Sequence, residues 1–194
     1  MLSYMTGRTH DLAAFTALNI VIITQPLPGF SMGTALFALA ACFIGGLAPD
    51  LDQPTAGLWS KFPAGRFFGT VVSPIFGRHR LISHSILGLF LFGLLAKFVL
   101  EGVSSFILVD MNIVWAAFMI GFISHLVFDT FTHDGVPWFF PLKWYIGIPP
   151  IAALRLQTGG FLEKYVLFPG LLILNIYLVV QNYQLYLDLF HKLF

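Results

Sequence analysis

The sequence is poor in charge. Charged residues make up 10% of its 194 residues and hydrophobic residues 58%, whereas a soluble domain usually carries roughly 25% charged residues. Water is therefore not its main solvent. The apolar residues come in long runs rather than in short alternating segments, which argues against an outer-membrane barrel. The sequence predicts an all-α fold, a polytopic bundle of membrane helices in one domain over residues 1–194.

Cysteine and blocks of like charge are also scarce. The single cysteine, Cys42, excludes an internal disulfide, and no CxxC motif for zinc occurs. The formal net charge is only +1, so a nucleic-acid partner is not expected. A metal ion bound to this chain would need histidine and carboxylate ligands.

Five apolar segments are long enough, or nearly so, to span a bilayer, which requires about 20 residues with about 17 as the short limit. The predicted spans are residues 10–25, 33–48, 81–100, 106–131 and 163–187. Two proline-rich connectors, 49–80 and 132–162, also contain tryptophan, phenylalanine and basic residues. We expect these connectors to contain no long helix and to lie at the membrane interface.

The basic residues predict the orientation of the bundle. With five spans, the N-terminus and both connectors lie on one side, which collects eight of the ten Lys and Arg residues. The positive-inside rule places that side in the cytoplasm, with the N-terminus inside and the C-terminus outside.

The unusual polar residues gather at the same side. Each lies at the cytoplasmic end of a span or in the adjoining loop. They are His10, Asp50, Asp52, His79, His84, His125 and Asp129. Because agreement on one side would be improbable by chance, we interpret them as the ligands of a metal site. Glu163, by contrast, is expected to be a solvated segment end.

His125 and Asp129 are four residues apart, so a helix presents both on one face. A charged acid inside an apolar helix costs about 2.5–3.5 kcal/mol on insertion scales and requires a compensating partner. A divalent cation would supply that compensation. A hydrogen-bonded His–Asp clamp or a proton relay is the alternative.

Asp50 and Asp52 lie between Pro49 and Pro54. On a helix they would point to opposite faces, but the two prolines favour an extended turn in which both carboxylates share one edge. The alternative is an interfacial turn that caps the second span. Asp52 is also the candidate general base.

Ser83 is the predicted N-cap of the third span and His84 its first helical residue, with His79 approaching from the loop. Arg78 and Arg80 suit recognition of a phosphate, or else ordinary anchoring at the cytoplasmic face. Arg80 is the candidate for neutralising negative charge on a substrate.

Taken in chain order, these motifs resemble the YdjM-like family of bacterial inner-membrane proteins. The likeness runs through His10, Leu47–Asp52, Phe76–Arg80, Ser83–Ser85, Gly121–Asp129 and Gly135–Lys143. The resemblance implies a multi-pass inner-membrane protein with metal-dependent hydrolase activity, similar in its ligands to zinc-dependent phospholipase C and P1-type nucleases.

The sequence and the resemblance together predict a membrane-bound phosphoesterase that uses two or three divalent ions, with zinc favoured and manganese the alternative. The aromatic connectors favour an amphiphilic substrate, such as a phospholipid or a lipid-linked phosphate, that enters from the bilayer. A metal or proton transporter is the alternative, although its site would be expected near the bilayer midplane.

Overall fold

A computed structural model describes residues 7–25, 31–53, 59, 63, 65–72 and 80–193. Across these residues the secondary structure is helical apart from two isolated β-bridges. The α-helices are α1 (Gly7–Thr24), α2 (Met32–Leu47), α3 (Gly65–Val72), α4 (Ile86–Val103), α5 (Met111–Thr130), α6 (Phe168–Gln181) and α7 (Tyr183–Leu193). The predicted all-helical bundle is confirmed.

Four helical stretches are long and apolar enough to cross a membrane. They are Met32–Asp52, Ile86–Val103, Met111–Thr130 and Glu163–Gln181. These stretches overlap the last four predicted spans. The first predicted span, 10–25, forms α1, which is not among the four.

Helix α1 buries a polar face against the bundle, where it packs on α2, α5 and α6. Asn19 donates from Nδ2 to Asn175 Oδ1 of α6 at 2.7 Å, and Asn175 donates to Thr16 Oγ1 at 2.7 Å. Tyr186 of α7 donates to Asn19 Oδ1 at 3.2 Å. Side-chain hydrogen bonds of this kind help helices associate in membranes, so they account for the polar residues of α1.

Helices α2 and α5 approach closely through glycine. A Cβ atom added to Gly121 would lie 2.0 Å from the carbonyl oxygen of Cys42, and one added to Gly45 would lie 2.0 Å from that of Phe118. Small residues allow such backbone contact between membrane helices. The crossing brings the C-terminal ends of α2 and α5 together, and both ends carry predicted ligands.

The start of α4 differs from the prediction. Ser85 is its N-cap, because the Ser85 hydroxyl accepts a hydrogen bond from the Gly88 amide at 3.1 Å. The predicted cap at Ser83, with His84 as the first helical residue, is wrong. Ser83 instead donates to Asp52 at 2.6 Å, so His84 lies in the turn that precedes α4.

The connector 132–162 contains no long helix, as predicted. Arg155 holds it by donating to the carbonyl oxygens of Pro149, Pro150 and His133 at 2.7, 2.9 and 3.2 Å. Many of its large apolar side chains, including Trp144, are exposed, whereas Val136 is buried. Its position at the membrane interface stays a prediction.

Candidate metal centre

Five of the predicted ligands meet at one end of the bundle. His10 lies in the first turns of α1, Asp50 in the short 3₁₀ turn Ala48–Asp52 after α2, and His84 in the turn before α4. His125 and Asp129 occupy the last turns of α5. The Asp50 side chain is 18% exposed, and the other four residues are at most 1% exposed.

Asp50, His84 and His125 form a first group that could hold a metal ion. The Nε2 atoms of the two histidines are 3.3 Å apart. Asp50 Oδ1 lies 3.6 Å from Nε2 of His84 and 3.7 Å from Nε2 of His125. Ligands bonded tetrahedrally to zinc at about 2.0–2.1 Å would be about 3.3–3.4 Å apart, so these three atoms fit one divalent ion.

His10, His125 and Asp129 form a second group that shares His125 with the first. Asp129 Oδ1 lies 3.5 Å from His10 Nε2, whereas Oδ2 lies 3.5 and 3.6 Å from Nε2 of His84 and His125. Neither oxygen accepts a hydrogen bond of acceptable geometry from the described residues, although both are buried. The Arg80 guanidinium, 2.8 Å from Oδ2, offsets the charge of this carboxylate, while Oδ1 faces the imidazole of His10, where a metal ion could be held.

The rings of His125 and His84 are oriented by contacts of their Nδ1 atoms. Nδ1 of His125 lies 2.7 Å from the carbonyl oxygen of Gly46. Because a carbonyl can only accept, Nδ1 carries the proton and Nε2 keeps its lone pair for an ion. Nδ1 of His84 lies 3.0 Å from the hydroxyl of Ser83. Such contacts behind metal-binding histidines fix the ring and its tautomer.

Asp52 joins neither group among the described residues. Its Oδ2 atom accepts hydrogen bonds from the Arg80 amide at 3.0 Å and the Ser83 hydroxyl at 2.6 Å, and lies 3.8 Å from His84 Nδ1. The predicted extended turn is wrong, because residues 48–52 form a 3₁₀ helix. With three residues per turn, Asp50 and Asp52 diverge, and Asp52 comes to lie behind His84.

Arg80 is buried beside Asp129, with Nη2 at 2.8 Å from Oδ2. Nη1 donates to the Thr132 hydroxyl at 3.2 Å and the Gly135 carbonyl at 3.3 Å. The backbone of Arg80 has a φ of 59°, a left-handed conformation that costs a non-glycine residue on the order of 1–3 kcal/mol. This conformation directs the amide to Asp52 and the side chain to Asp129. Its predicted role toward a substrate phosphate stays a prediction.

The charges around His84 favour its protonated form when no metal is bound. Burial lowers the pKa of His84, but the carboxylates of Asp129 and Asp50 outweigh burial and raise the pKa to about 9. A metal ion must therefore displace a proton to bind Nε2.

Two predicted residues lie outside the description. His79 and Arg78 are not among the described residues, so their predicted roles stay predictions.

Sequence reasoning missed Glu163. The expectation of a solvated segment end is wrong, because Glu163 is 1% exposed. Its Oε1 accepts from the Thr9 hydroxyl at 2.7 Å and its Oε2 from the Gly159 amide at 2.6 Å. The position of Glu163 at the start of an apolar run gave no sign of a partner 154 residues away.

The fold and the cluster define a polytopic membrane protein whose buried His/Asp groups could hold a metal ion. The family model described as YdjM inner membrane protein matches residues 5–186. The chain therefore belongs to the YdjM inner membrane protein family, as the sequence motifs predicted, and is a multi-pass protein of the inner membrane.

Relatives of the chain match over most of their length. The protein YvsG of Bacillus subtilis (strain 168) is 32% identical over 163 residues, which cover 84% of this chain and 88% of YvsG. The inner membrane protein YdjM of Escherichia coli (strain K12) is 27% identical over 168 residues, covering 84% of this chain and 77% of that protein. YdjM of Shigella flexneri matches to the same extent. No solved structure matches the chain.

Proposed function

We propose that this protein is a membrane-bound, metal-dependent phosphoesterase. One observation carries the proposal. Three histidines and two aspartates from four parts of the chain converge in one cluster, and both oxygens of Asp129 face imidazole nitrogens at 3.5–3.6 Å. Two carboxylates and three imidazoles this close together form a donor set suited to a divalent cation, in addition to the Arg80 guanidinium that offsets the charge of Asp129.

The proposed ligands are His10, Asp50, His84, His125 and Asp129. Because an imidazole nitrogen binds one ion, His125 can serve only one of the two groups, and a second ion would be held by His10 and Asp129 Oδ1. We therefore assign at most two ions rather than three. Mixed histidine and carboxylate ligands suit zinc, with manganese as the alternative. A divalent ion bound there would supply Lewis acidity toward a phosphate ester.

Other residues of the site orient the proposed ligands or balance their charge. Gly46 and Ser83 orient the rings of His125 and His84. Asp52 is better placed to orient His84 than to act as a general base, since its Oδ2 already accepts two hydrogen bonds. The Arg80 guanidinium balances Asp129, and we assign to it the stabilisation of negative charge that develops on a substrate.

An amphiphilic substrate fits the surroundings of the cluster. An apolar cleft of about 360 Å³ beside the end of α5 is lined by Val127, Thr130, Phe131 and Ile148, among others. Thr130 adjoins Asp129 in sequence, so an acyl chain in this cleft would hold a phosphate headgroup near the depth of the ligands. The excess of basic residues in the flanking segments supports a site that faces the cytoplasm.

The test begins with metal analysis of the full chain purified in a mild detergent without chelator. We expect bound zinc or manganese, lost in His125→Ala and Asp50→Ala but retained in His133→Ala, whose side chain is 59% exposed. Hydrolysis is then measured on a phospholipid and on a soluble phosphate ester. Wild-type protein without a bound transition metal would overturn the proposal, as would metal-loaded protein inactive on both substrates.

Ion transport is the alternative function. It gains some support from the buried polar contacts of Thr16, Asn19 and Asn175, which extend the polar face of α1 beyond the cluster. These groups satisfy one another and none of them titrates, so they suit helix association better than conduction. Metal or proton flux into proteoliposomes, without hydrolysis, would favour transport.

A further inference from the structure

His10 differs from the other two histidines of the cluster in how its ring is held. Its Nδ1 atom is buried and has no hydrogen-bond partner among the described residues. Metal-binding histidines almost always have such a partner, and His84 and His125 have theirs. The His10 ring instead stacks on His125, with centroids 3.8 Å apart and an angle of 13° between the planes. Stacking fixes the plane of the ring rather than its position within that plane, so this position depends on the helix that carries His10 as well as on Asp129, 3.5 Å from Nε2.

A buried carboxylate fixes that part of the helix. Glu163 accepts a 2.7 Å hydrogen bond from the hydroxyl of Thr9, the residue before His10. Its second oxygen accepts from the Gly159 amide at 2.6 Å. Thr9 and Glu163 are each 1% exposed. Hydrogen bonds to a charged acceptor are roughly twice as strong as neutral ones, and burial protects them from competing water.

The element that carries Glu163 is unusual. Residues Glu163–Leu167 form a π-helical turn that leads directly into α6. Such turns inside helices are rare and occur frequently at functional sites. None of the five proposed ligands lies on α6, and the contact with Thr9 joins this last span to the turn of α1 that carries His10.

We propose that Glu163 is a positioning residue for metal binding, which acts through Thr9 to fix the first turns of α1 and with them His10. The inference rests on the proposed metal centre but not on its hydrolytic activity. Glutamine would lose one of these two hydrogen bonds, to Thr9 or to Gly159, because its amide nitrogen cannot accept a hydrogen bond.

The rival explanation is that Glu163 only clamps α1 to the last span. The same interface offers a matched control, because Thr16 lies two turns further along α1 and accepts from Asn175 at 2.7 Å. Thr9→Val and Thr16→Val make the same change on one helix. If Glu163 is only a clamp, both variants should lower thermal stability, and the two variants should have the same metal affinity. A positioning role predicts that their affinities differ.

The experiment measures zinc affinity of the full chain in detergent by competition with a chromophoric chelator, and thermal melting in EDTA. We expect Thr9→Val and Glu163→Gln to weaken zinc binding roughly 10- to 100-fold, the usual effect of losing a residue that supports a metal ligand. Thr16→Val should lower the melting temperature yet keep wild-type affinity, and Thr9→Ser should restore binding because it keeps the hydroxyl.

Wild-type affinity in Thr9→Val would overturn the inference and leave the proposed metal centre standing. Equal weakening in Thr9→Val and Thr16→Val would overturn it as well, in favour of a clamp. A wild-type chain that binds no zinc or manganese would instead remove the metal centre itself, and this inference with it. If Glu163→Gln fails to fold, the threonine variants alone decide.

Discussion

In the metal-free protein, we expect the loss of the negative charge of Asp129 to lower thermal stability more than the loss of any other charge. Its carboxylate lies 2.8 Å from the Arg80 guanidinium, and the two side chains are 1% and 5% exposed. Asp129→Asn keeps the side-chain volume but leaves Arg80 charged and buried. Removing one partner of a buried ion pair costs about 3–5 kcal/mol, and at this chain length the melting temperature should fall by roughly 6–20 °C. Melting temperatures are measured in EDTA and in one detergent, so that the wild type and the variant are compared without bound metal.

A double-mutant cycle separates the ion pair from general damage. Arg80→Met also destabilises, because it leaves Asp129 without its cation. The double variant buries neither charge, so it should be less destabilised than the sum of the single variants, with a coupling energy of about 0.5–3 kcal/mol. Asp134→Asn is the control, since Asp134 lies 3.9 Å from Arg80 but is 50% exposed, and a change within about 0.5 kcal/mol is expected. Additive single effects, or wild-type melting of Asp129→Asn, would refute the reasoning.

Three further predictions follow from the packing and the charges. Gly121→Ala should lower both thermal stability and metal content, because its Cβ would lie 2.0 Å from the Cys42 carbonyl and force α2 from α5, whereas Gly102→Ala, with no atom within 4 Å, should do neither. Zinc affinity should rise about tenfold per pH unit as pH increases toward the pKa of about 9 of His84, because the bound proton competes with the ion; a flat profile in competition titrations would contradict this. Arg155→Ala should expose the connector 132–162 to limited proteolysis, since it removes the donors to three carbonyl groups, while metal content stays unchanged.

The spans were predictable because bilayer thickness sets a length that a linear sequence displays directly. The helix ends were less so. Both Ser83 and Ser85 are good capping residues, and local chemistry does not choose between them. Asp52, which lies 31 positions earlier in the sequence, accepts a hydrogen bond from the Ser83 hydroxyl, so Ser85 caps α4 instead.

The candidate site was predictable to the level of which spans contribute to it. His125 and Asp129 share a helical face by spacing alone, and topology places His10, Asp50 and His84 at the same end. The sequence did not predict that Asp50 would join the cluster while Asp52 would not. That difference depends on the 3₁₀ turn, and the two prolines were equally compatible with an extended turn. The burial of Glu163 was not predictable, because its partner Thr9 lies at the other end of the chain.

The crossing of α2 and α5 links the packing of the bundle to the chemistry of the cluster. The contact that requires glycine at Gly45 and Gly121 also places the Gly46 carbonyl 2.7 Å from His125 Nδ1. A membrane helix normally keeps its carbonyls for its own hydrogen bonds, and near the end of α2 such a group becomes available to a neighbour. The same few residues at this crossing therefore serve both helix association and the orientation of His125. A substitution there is expected to change both thermal stability and metal binding. The proposed role of Glu163 predicts instead that metal affinity and stability separate between two threonines of α1, Thr9 beside Glu163 and Thr16 beside Asn175.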